Sequence, residues 1–362
     1  MAEVLIDFLD VGQGDGTLIT GPGSELILVD LGSKKNAAIA GGDAITFLLD
    51  EIEESMKVRG KKSPVLDHLM ITHGDGDHYS LLPLLLAKVK VKFKQQLTIY
   101  KVTIGGDVKD YASKPLRDHV LKPAAKNKVL EVLRDGDHDK IISGKLKPRW
   151  KFGYMDIFLL SANFPFRSGG GKNAKSLVLM VKYADRQVIL TGDAEAPTEA
   201  AILKNYKPKL AFLQSTALKL GHHGSEAGSS EAWIKAIRPK LCFASSDMKW
   251  AHPYCVTVNR IKTSIGPGLK LYKHQWMCGE GAGAKKTYND YDNEQGFYTT
   301  MAYTDIYGVV QGVQYVLKIE DTGDMYLADT LKHRAGPFKA LGPRRPWPDP
   351  AGALVVRGSG RA

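Results

Sequence analysis

Three apolar stretches of the chain end directly in loops of acidic and histidine residues. "VLDHLMIT" is followed by "HGDGDH" at residues 73–78, "VILT" is followed by Gly192 and Asp193, and "LKLG" is followed by His222 and His223. Short apolar runs beside glycine-rich turns are typical of buried strands. α/β folds place their chemistry at the carboxyl ends of such strands. The pattern therefore predicts an α/β fold whose functional groups gather at one rim.

The rest of the chain alternates predicted strands with predicted helices. "EVLIDFLDV" and "LILVDLG" are expected to be adjacent strands around the turn "GQGDGT", and "GVQYVLKI" with "DMYLA" predicts a closing hairpin. "DAITFLLDEIEESM", "SLLPLLLAKV", "APTEAAILKNY" and the serine-capped "SSEAWIKAI" predict helices. "VKVKFKQQLTIYKVTI" alternates and predicts a strand, and residues 274–297 form a predicted glycine- and asparagine-rich insertion.

Composition indicates a soluble, cytoplasmic protein. With 43% hydrophobic and 25% charged residues, the chain has no stretch near the roughly 18 apolar residues that span a bilayer. The opening "MAEVLIDFLDVGQGD" lacks the basic region and unbroken apolar core of a secretory signal. The three cysteines, Cys242, Cys255 and Cys278, are too few for a disulfide framework or a cysteine-based zinc site. We therefore expect no membrane contact.

The net charge of +11 is unevenly distributed. Residues 331–362 carry seven Lys or Arg against Asp349 alone, so that this tail holds +6 and the body +5. Because the tail is rich in Pro, Gly and Ala, we expect one folded domain at 1–330 and a basic, disordered tail at 331–362. A basic tail can help to bind an anionic polymer, and a merely solvated chain end is the alternative.

The loop at 73–78 offers four possible metal ligands, His73, Asp75, Asp77 and His78. Imidazole and carboxylate together suit zinc, manganese or iron. Alternatively, Asp77 and His78 cap the helix that follows. Five of the ten histidines lie in this loop, in "GHHGS" and in "WAHPY", and this clustering favours metal binding.

The motifs "THGDGDH", "LTGDAE" and "GHHGS", in this order, resemble the metallo-β-lactamase superfamily. Its signature is H-x-H-x-D-H, followed by a distal His, a bridging Asp and a last His. In detail the chain resembles the hydrolase domain of ComEC/Rec2 competence proteins, with "DVGQGD" at 10–15, Asp75 in place of the second signature histidine, and "HHGS" at 222–225. The likeness runs from about residue 4 to 258. It implies an αββα sandwich of two mixed β-sheets flanked by helices.

The resemblance also implies two divalent ions, Zn or Mn, and their ligands. His73 and Asp75 would hold one ion, Asp77 and His78 the other, and Asp193 would bridge them. One histidine of "HHGS" would complete the second site; we expect His222, with His223 left open. Asp10, Asp15 and Asp30 would orient ligands through hydrogen bonds, or would form turns and end strands.

One loop departs from the wider superfamily. Most relatives have a metal-binding histidine before the strand that corresponds to "SLVLMVK", whereas this chain has "GGGKNAKSL" with Asn173 nearest that place and Ser176 three residues on. ComEC-like sequences tend to show the same Asn-x-x-Ser. The first ion is therefore expected to have fewer strong ligands.

Two ions of this kind would hold a hydroxide between them and neutralise charge at the attacked centre. The carboxylate-enriched site, the basic surface and the likeness to ComEC together favour phosphodiester hydrolysis. Asp77 would bind metal and orient the hydroxide. His252 in "AHPY" would donate to a phosphate oxygen or to the leaving group, or would only pack against Pro253 and Tyr254. Ser225 would bind a nonbridging oxygen or shape its turn.

The expected substrate is DNA, either single-stranded or duplex, or another phosphodiester. Contacts to phosphate would come from Lys172, Lys175, Lys219, Lys249 and the "KVRGKK" loop, although each of these can equally be a solvated lysine. The alternatives are a hydrolase of the same fold acting on a small ester, thioester or phosphoester, and a non-catalytic binding protein. No protein partner is indicated.

Overall fold

Two large β-sheets contain most of the strands in the computed structural model. The structure describes residues 2–34, 42–133, 137–142, 145–163, 171–247, 250–264, 274–280, 285–291, 296–304, 310–330 and 355–356. In chain order the strands are β1 (Glu3–Phe8), β2 (Gly16–Thr20), β3 (Leu26–Leu31), β4 (Val65–Leu66), β5 (His68–Ile71), β6 (Thr98–Ile99), β7 (Val102–Gly105), β8 (Leu130–Leu133), β9 (Ile141–Ile142), β10 (Lys145–Leu146), β11 (Trp150–Phe152), β12 (Met155–Ser161), β13 (Val178–Tyr183), β14 (Arg186–Leu190), β15 (Ala217–Lys219), β16 (Leu241–Ala244), β17 (His274–Glu280), β18 (Lys285–Tyr291), β19 (Phe297–Thr299), β20 (Met301–Thr304), β21 (Val310–Gly312), β22 (Tyr315–Glu320), β23 (Met325–Asp329) and β24 (Val355–Val356).

The helices lie between these strands. They are α1 (Gly42–Arg59), α2 (Leu82–Phe93), α3 (Lys114–Leu116), α4 (Lys122–Lys126), α5 (Ala196–Asn205), α6 (Glu231–Ile237) and α7 (Cys255–Ser264). A π-helical turn, Arg117–Leu121, joins α3 to α4. Short 3₁₀-helical segments occur at Gly76–His78, Val108–Asp110, Lys172–Lys175, Lys207–Leu213 and Gly221–Gly224.

Both sheets are mixed, and they are built alike. The first has the order β24-β23-β22-β1-β2-β3-β5-β7-β8, antiparallel as far as β3 and parallel from β3 to β8. The second has the order β11-β12-β13-β14-β15-β16-β19, antiparallel as far as β14 and parallel beyond it. Each sheet therefore has a parallel half in which neighbouring strands end at the same edge.

The main core lies between the two sheets. Along β1 the side chains of Val4, Ile6 and Phe8 point inwards, as the two-residue period of a strand requires. Phe8 stacks on Phe243 of the second sheet, with ring centroids 4.1 Å apart. The sheets are thus joined by apolar burial, which is the main stabilising contribution to such a fold.

Helices cover both outer faces. Leu48 of α1 and Leu85 of α2 pack on the first sheet, while Ile202 of α5 and Trp233 of α6 pack on the second. The order of layers is helix, sheet, sheet, helix. This confirms the predicted αββα sandwich.

Two strand predictions were wrong in detail. β1 and β3 are not neighbours, because β2 lies between them. The alternating "VKVKF" is the last part of helix α2, which continues to Phe93 and ends at Lys94 in a left-handed conformation. Its buried residues, Leu82, Leu85 and Val89, have helical spacing, whereas Val91 is 64% exposed. The alternation there was not a buried strand face.

The predicted insertion at 274–297 contains the hairpin β17–β18, while 281–284 and 292–295 lie outside the described residues. The Gly279 N–H donates to the Pro253 carbonyl at 2.9 Å, and a disulfide joins Cys255 to Cys278. The sequence analysis did not anticipate this cross-link. The hairpin is therefore attached to the segment that carries His252.

The division into a domain at 1–330 and a tail stays a prediction. Most of 331–362 lies outside the described residues, and Val355–Val356 pair with β23. Across the ranges that the structure describes, no helix has the length and apolarity needed to cross a membrane.

Candidate metal centre

The polar loops of both sheets meet at the carboxyl edge of their parallel strands. Asp30 lies near the end of β3, and the 73–78 loop follows β5. From the second sheet, Asp193 follows β14 and His222 and His223 follow β15. The fold thus brings together residues more than 190 positions apart in the chain.

Asp193 lies at the centre of this group and is 2% exposed. Its Oδ1 is 3.2 Å from His78 Nε2 and 3.6 Å from His223 Nε2. Its Oδ2 is 3.7 Å from His73 Nε2 and 3.9 Å from His222 Nε2. Each carboxylate oxygen therefore faces its own pair of imidazoles.

The two acids of the 73–78 loop lie on opposite sides of Asp193. Asp75 Oδ2 is 3.8 Å from His73 Nε2, whereas Asp77 Oδ2 is 3.4 Å from His223 Nε2. The structure thus places His223, and not the expected His222, beside Asp77. The Nδ1 atom of His222 instead lies 3.1 Å from Glu195 Oε1.

The backbone of "HHGS" adopts an unusual conformation that turns both imidazoles inwards. His222 and His223 have φ of 49° and 56°, in the left-handed region that costs energy for residues other than glycine. Gly224 follows with φ of 83°, and a Cβ there would lie 2.6 Å from Pro253 Cβ. Such strain is typical of functional sites.

A layer of hydrogen bonds holds the ligand candidates in place. Asp30 accepts from the Thr72 N–H at 2.7 Å and from the Thr72 hydroxyl at 2.7 Å, and its Oδ2 is 2.8 Å from His78 Nδ1. The Ser176 hydroxyl lies 3.4 Å from His73 Nδ1 and accepts from the Asp193 N–H at 3.1 Å. These contacts fix the orientation of His78 and His73.

The two acids of the "DVGQGD" motif at residues 10–15 have different roles near the centre. Asp15 is buried and forms an ion pair with Lys219, and its N–H donates to the Asp77 carbonyl at 2.9 Å. Asp10 accepts from the Gly12 N–H at 3.2 Å, which is the turn-forming alternative. Gly32, after β3, packs on the ligand loop so closely that a Cβ would lie 2.4 Å from the Asp77 carbonyl carbon.

The other predicted site residues surround the centre. The Asn173 amide donates to Glu195 Oε1 at 2.9 Å and lies beside His222. The Ser225 hydroxyl accepts from the Ala227 N–H at 3.3 Å, which shapes the turn. His252 packs against both histidines of the motif, with ring centroids 5.3 Å and 6.1 Å away.

Several buried atoms of the centre lack a hydrogen-bond partner among the described residues. An unpaired buried polar group costs about 1–3 kcal/mol, so that several in one place indicate a missing ligand. Imidazole nitrogen and carboxylate oxygen form a suitable donor set for divalent transition metals. The residues therefore fit the two ions that the sequence predicted. The atoms are His73 Nε2, Asp77 Oδ1, His78 Nε2, Asp193 Oδ1 and His223 Nε2.

Electrostatics keep the carboxylates of this centre ionised. The nearby His73 imidazole, with help from Lys172, lowers the pKa of Asp75 to about 2. Burial opposes ionisation of Asp193, but His78 and His223 hold its pKa well below the usual range. Likewise Asp193 and Asp30 raise the pKa of His78 against the effect of burial. The centre concentrates negative charge that cations can neutralise.

Two lysines at the rim contact the acids of the 73–78 loop. Lys34 Nζ is 3.0 Å from Asp77 Oδ2, and Lys172 Nζ is 3.1 Å from Asp75 Oδ1. The sequence analysis missed Lys34, which carries no motif of its own and comes only four residues after Asp30. It also missed Glu195, although that residue ends the quoted "LTGDAE".

The remaining expected phosphate contacts lie elsewhere. Lys219 is 2% exposed, and Lys175 pairs with Asp110 at 2.6 Å. In "KVRGKK", Arg59 pairs with Asp67, which precedes β5 and so lies at the opposite edge from the centre. Lys249 lies outside the described residues. Burial and pairing therefore leave Lys172 as the predicted lysine beside the centre.

A pocket of about 330 Å³ opens onto the centre. Its walls include Lys34, Asp77, His252, Trp250 and Tyr254. Trp250 is 52% exposed, so that its indole is accessible from solvent. Burial and the two neighbouring imidazoles lower the pKa of His252 to about 3.

The sequence profile described as the metallo-beta-lactamase superfamily matches residues 9–241. The chain belongs to the metallo-β-lactamase superfamily. This confirms the resemblance inferred from the motifs. The fold binds divalent metals, typically two, and members of the superfamily are mostly hydrolases. In this chain, His and Asp residues form clusters that could hold such ions.

The chain is 31% identical to Competence protein ComA of Neisseria gonorrhoeae over 127 residues, 34% of this chain and 17% of that protein. It is 27% identical to ComE operon protein 3 of Bacillus subtilis over 267 residues, 70% of this chain and 30% of that protein. It is 26% identical to Recombination protein 2 of Haemophilus influenzae over 260 residues, 71% of this chain and 26% of that protein. These matches confirm the likeness to the ComEC/Rec2 branch. The chain spans less than a third of the length of each of these relatives.

Among solved structures, the metallo-β-lactamase fold protein YhfI from Bacillus subtilis aligns over 80% of this chain and 100% of its own, at 12% identity and a TM-score of 0.40.

Proposed function

We propose that this metallo-β-lactamase-fold chain hydrolyses phosphodiester bonds in DNA with two divalent ions, manganese or zinc. The observation that carries the proposal is the meeting of imidazoles and carboxylates around Asp193, with two lysines at the rim. Bound there, two ions would activate a water and neutralise the charge that builds on the attacked phosphate. The names of the relatives, competence and recombination proteins, support a nucleic acid as substrate.

The distances support two sets of ligands that share Asp193. Asp193 Oδ2 lies on the side of His73, and Asp193 Oδ1 lies on the side of His78. Because His223 is buried beside Asp77, it takes the place first expected for His222. The first set is His73, Asp75 and Asp193; the second is Asp77, His78, His223 and Asp193.

Two side chains act on the substrate and the water in this proposal. Asp77 Oδ1 has no hydrogen-bond partner among the described residues, so that it can accept a hydrogen bond from the attacking water and orient it. His252 is neutral near pH 7 because its pKa is lowered to about 3. A neutral imidazole carries one N–H, and this N–H donates a hydrogen bond to a phosphate oxygen or to the leaving group.

The rim lysines supply contacts to the DNA backbone. The side chains of Lys34 and Lys172 are 39% and 43% exposed, and their ammonium groups lie on the two acids that the ions would neutralise. With those acids engaged by cations, both ammonium groups become available to phosphate oxygens. Such contacts position the strand without reading its sequence.

The exposed indole of Trp250 favours single-stranded over duplex DNA as the substrate. Its exposed indole lines the same pocket as Asp77 and His252. Exposed aromatic rings stack on unpaired bases, and each such contact contributes about 1–3 kcal/mol. We propose that Trp250 stacks on a base beside the scissile phosphate.

The test compares substrates under manganese and zinc separately. Single-stranded DNA, duplex DNA, bis-p-nitrophenyl phosphate, nitrocefin and a lactoyl-glutathione thioester are incubated with purified chain. We expect cleavage of single-stranded DNA that needs metal and is abolished in Asp77→Ala, while His119→Ala, at an exposed position, retains it. Faster turnover of nitrocefin or of the thioester than of any phosphodiester would refute the proposal.

The stacking role of Trp250 has its own control. Trp250→Ala should raise the KM for single-stranded DNA about tenfold and leave hydrolysis of bis-p-nitrophenyl phosphate unchanged. Tyr154→Ala, at an aromatic residue that is 87% exposed, should change neither.

A small phosphoester is the second candidate substrate. The pocket volume of about 330 Å³ is at the lower end for small-molecule sites. If a small phosphoester is the substrate, a mononucleotide diester should be cleaved as fast as DNA, and Trp250→Ala should change the two cleavage rates equally.

A further inference from the structure

The first ion of the proposed centre lacks one ligand that the superfamily usually provides. Asn173 occupies the loop in which most members of the superfamily have a metal-binding histidine. Its amide donates to Glu195 Oε1 at 2.9 Å and lies 3.3 Å from His222 Nδ1. The loop side chain is thus engaged by Glu195 and by His222.

His222 lies on the side of the first ion. Its Nε2 is 3.9 Å from Asp193 Oδ2, the same oxygen that is 3.7 Å from His73 Nε2. The adjacent His223 faces the other oxygen, Oδ1, at 3.6 Å. The two adjacent imidazoles therefore face different oxygens of the Asp193 carboxylate.

The distances of His73 and His222 from Asp193, and of His73 from Asp75, each suit a pair of ligands on one ion. Two ligand atoms about 2.1 Å from a tetrahedral ion are roughly 3.4 Å apart. The His73–Asp193 and His222–Asp193 distances of 3.7 and 3.9 Å exceed this by only a few tenths of an ångström, as does the His73–Asp75 distance of 3.8 Å.

A carboxylate holds His222 in the orientation that a ligand needs. Glu195 Oε1 lies 3.1 Å from His222 Nδ1, so that an Nδ1–H donates to Glu195 and the Nε2 lone pair faces Asp193. Metal-binding histidines usually have such a carboxylate or carbonyl partner. The left-handed backbone at His222, with φ of 49°, turns the ring towards this place at an energetic cost.

We propose that His222 is a ligand of the first ion, in place of the histidine that the Asn173 loop lacks, and that Glu195 and Asn173 are positioning residues that aim its Nε2. The inference rests on the two-ion centre of the proposed function and is independent of the substrate. The "HHGS" motif then supplies one ligand to each ion.

The test counts ions bound per chain, by elemental analysis and by calorimetric titration of the metal-free protein with Mn²⁺. Wild type and His119→Ala should bind two ions tightly, and His222→Ala one. If His222 and Asp75 hold the same ion, His222→Ala/Asp75→Ala should still bind one, whereas His222→Ala/Asp77→Ala should bind none.

Two outcomes would overturn the inference while leaving the centre intact. Two ions bound with unchanged affinity by His222→Ala would exclude it as a ligand. One ion retained in His222→Ala/Asp77→Ala, with none in His222→Ala/Asp75→Ala, would assign it to the second ion. Fewer than two ions in wild type would instead refute the two-ion centre itself, and the inference with it.

Glu195→Gln provides a milder variant if the alanine variants fail to fold. It keeps the size of the side chain and removes the charge that fixes the His222 tautomer. We expect the affinity of one ion to fall about 10- to 100-fold and that of the other to stay unchanged. If wild type and Glu195→Gln bind each ion with the same affinity, the positioning role of Glu195 is contradicted.

Discussion

His68 begins strand β5, and His73 lies two residues beyond its end; both side chains are almost fully buried. His68 Nε2 lies 2.8 Å from the Thr103 hydroxyl, and its ring meets Trp150 edge-on at 5.3 Å. His73 Nε2 instead faces Asp193 and Asp75 at 3.7 and 3.8 Å. Burial is therefore common to both histidines, and only the surroundings distinguish them.

The two ends differ because the parallel strands of both sheets end at one edge. At that edge each strand delivers a polar loop, so that acids from separate loops meet around His73. At the other end His68 contacts Thr103 and Trp150, and burial, together with the positive charge of Lys101, lowers its pKa to about 3. A buried histidine marks a site when carboxylates converge on it, and otherwise it is part of the core.

The largest expected effect is on catalysis. Asp193→Ala removes the carboxylate shared by both ions and should lower kcat/KM for a phosphodiester by about 10³-fold or more, since ions contribute several kcal/mol to such reactions. His68→Gln, at the other end of the same strand, should retain kcat/KM within about twofold by the same assay. A comparable loss in both variants would remove the functional distinction between the two ends.

The next effect is on stability in the presence of metal. An ion at 100 times its Kd stabilises the folded state by about 2.7 kcal/mol per site. Urea unfolding with and without Mn²⁺ should show this gain in wild type and in His68→Gln, and the gain should vanish in Asp193→Ala. A gain that persists in Asp193→Ala would place the ions elsewhere.

The pH dependence of the free energy of unfolding tests the end of strand β5 that carries His68. His68 has a pKa of about 3 in the folded chain and near 6.5 when unfolded. Between pH 3 and pH 6.5 the unfolded state binds more protons than the folded state. The contribution of neutral His68 to the free energy of unfolding is therefore complete above pH 6.5 and is lost as the pH falls towards 3. From pH 7 to 5 we expect His68 to account for about 2 kcal/mol of lost stability. Metal-free His68→Gln should show a smaller decrease than wild type, and identical decreases would contradict this role.

The smallest effect comes from a matched pair of threonines. Thr72 donates its hydroxyl to Asp30 at 2.7 Å near the centre, and Thr103 contacts His68 at the other end. Thr72→Val and Thr103→Val should each cost about 1 kcal/mol of stability. Only Thr72→Val should also weaken Mn²⁺ binding, about tenfold. Weaker Mn²⁺ binding in Thr103→Val would show that the two ends are coupled.

The sequence by itself determined the fold class and the motifs of the centre. Each motif is contiguous and follows an apolar strand, so that the carboxyl-edge rule places His73, Asp75, Asp77 and Asp193 at one rim without further information. The same local reasoning failed for "VKVKF", because five alternating residues fit either period and only the buried face of α2, with Leu85 and Val89, decides between them.

Tertiary structure alone decided which side chains meet. The sequence could not choose between His222 and His223, since adjacent residues differ only in the direction that a left-handed turn gives them. It also could not show that Lys219 is buried on Asp15, or that Lys34 and Glu195 reach the centre. These contacts join loops from different strands and sheets, and distances between such loops depend on how the sheets pack, which no local pattern in the sequence encodes.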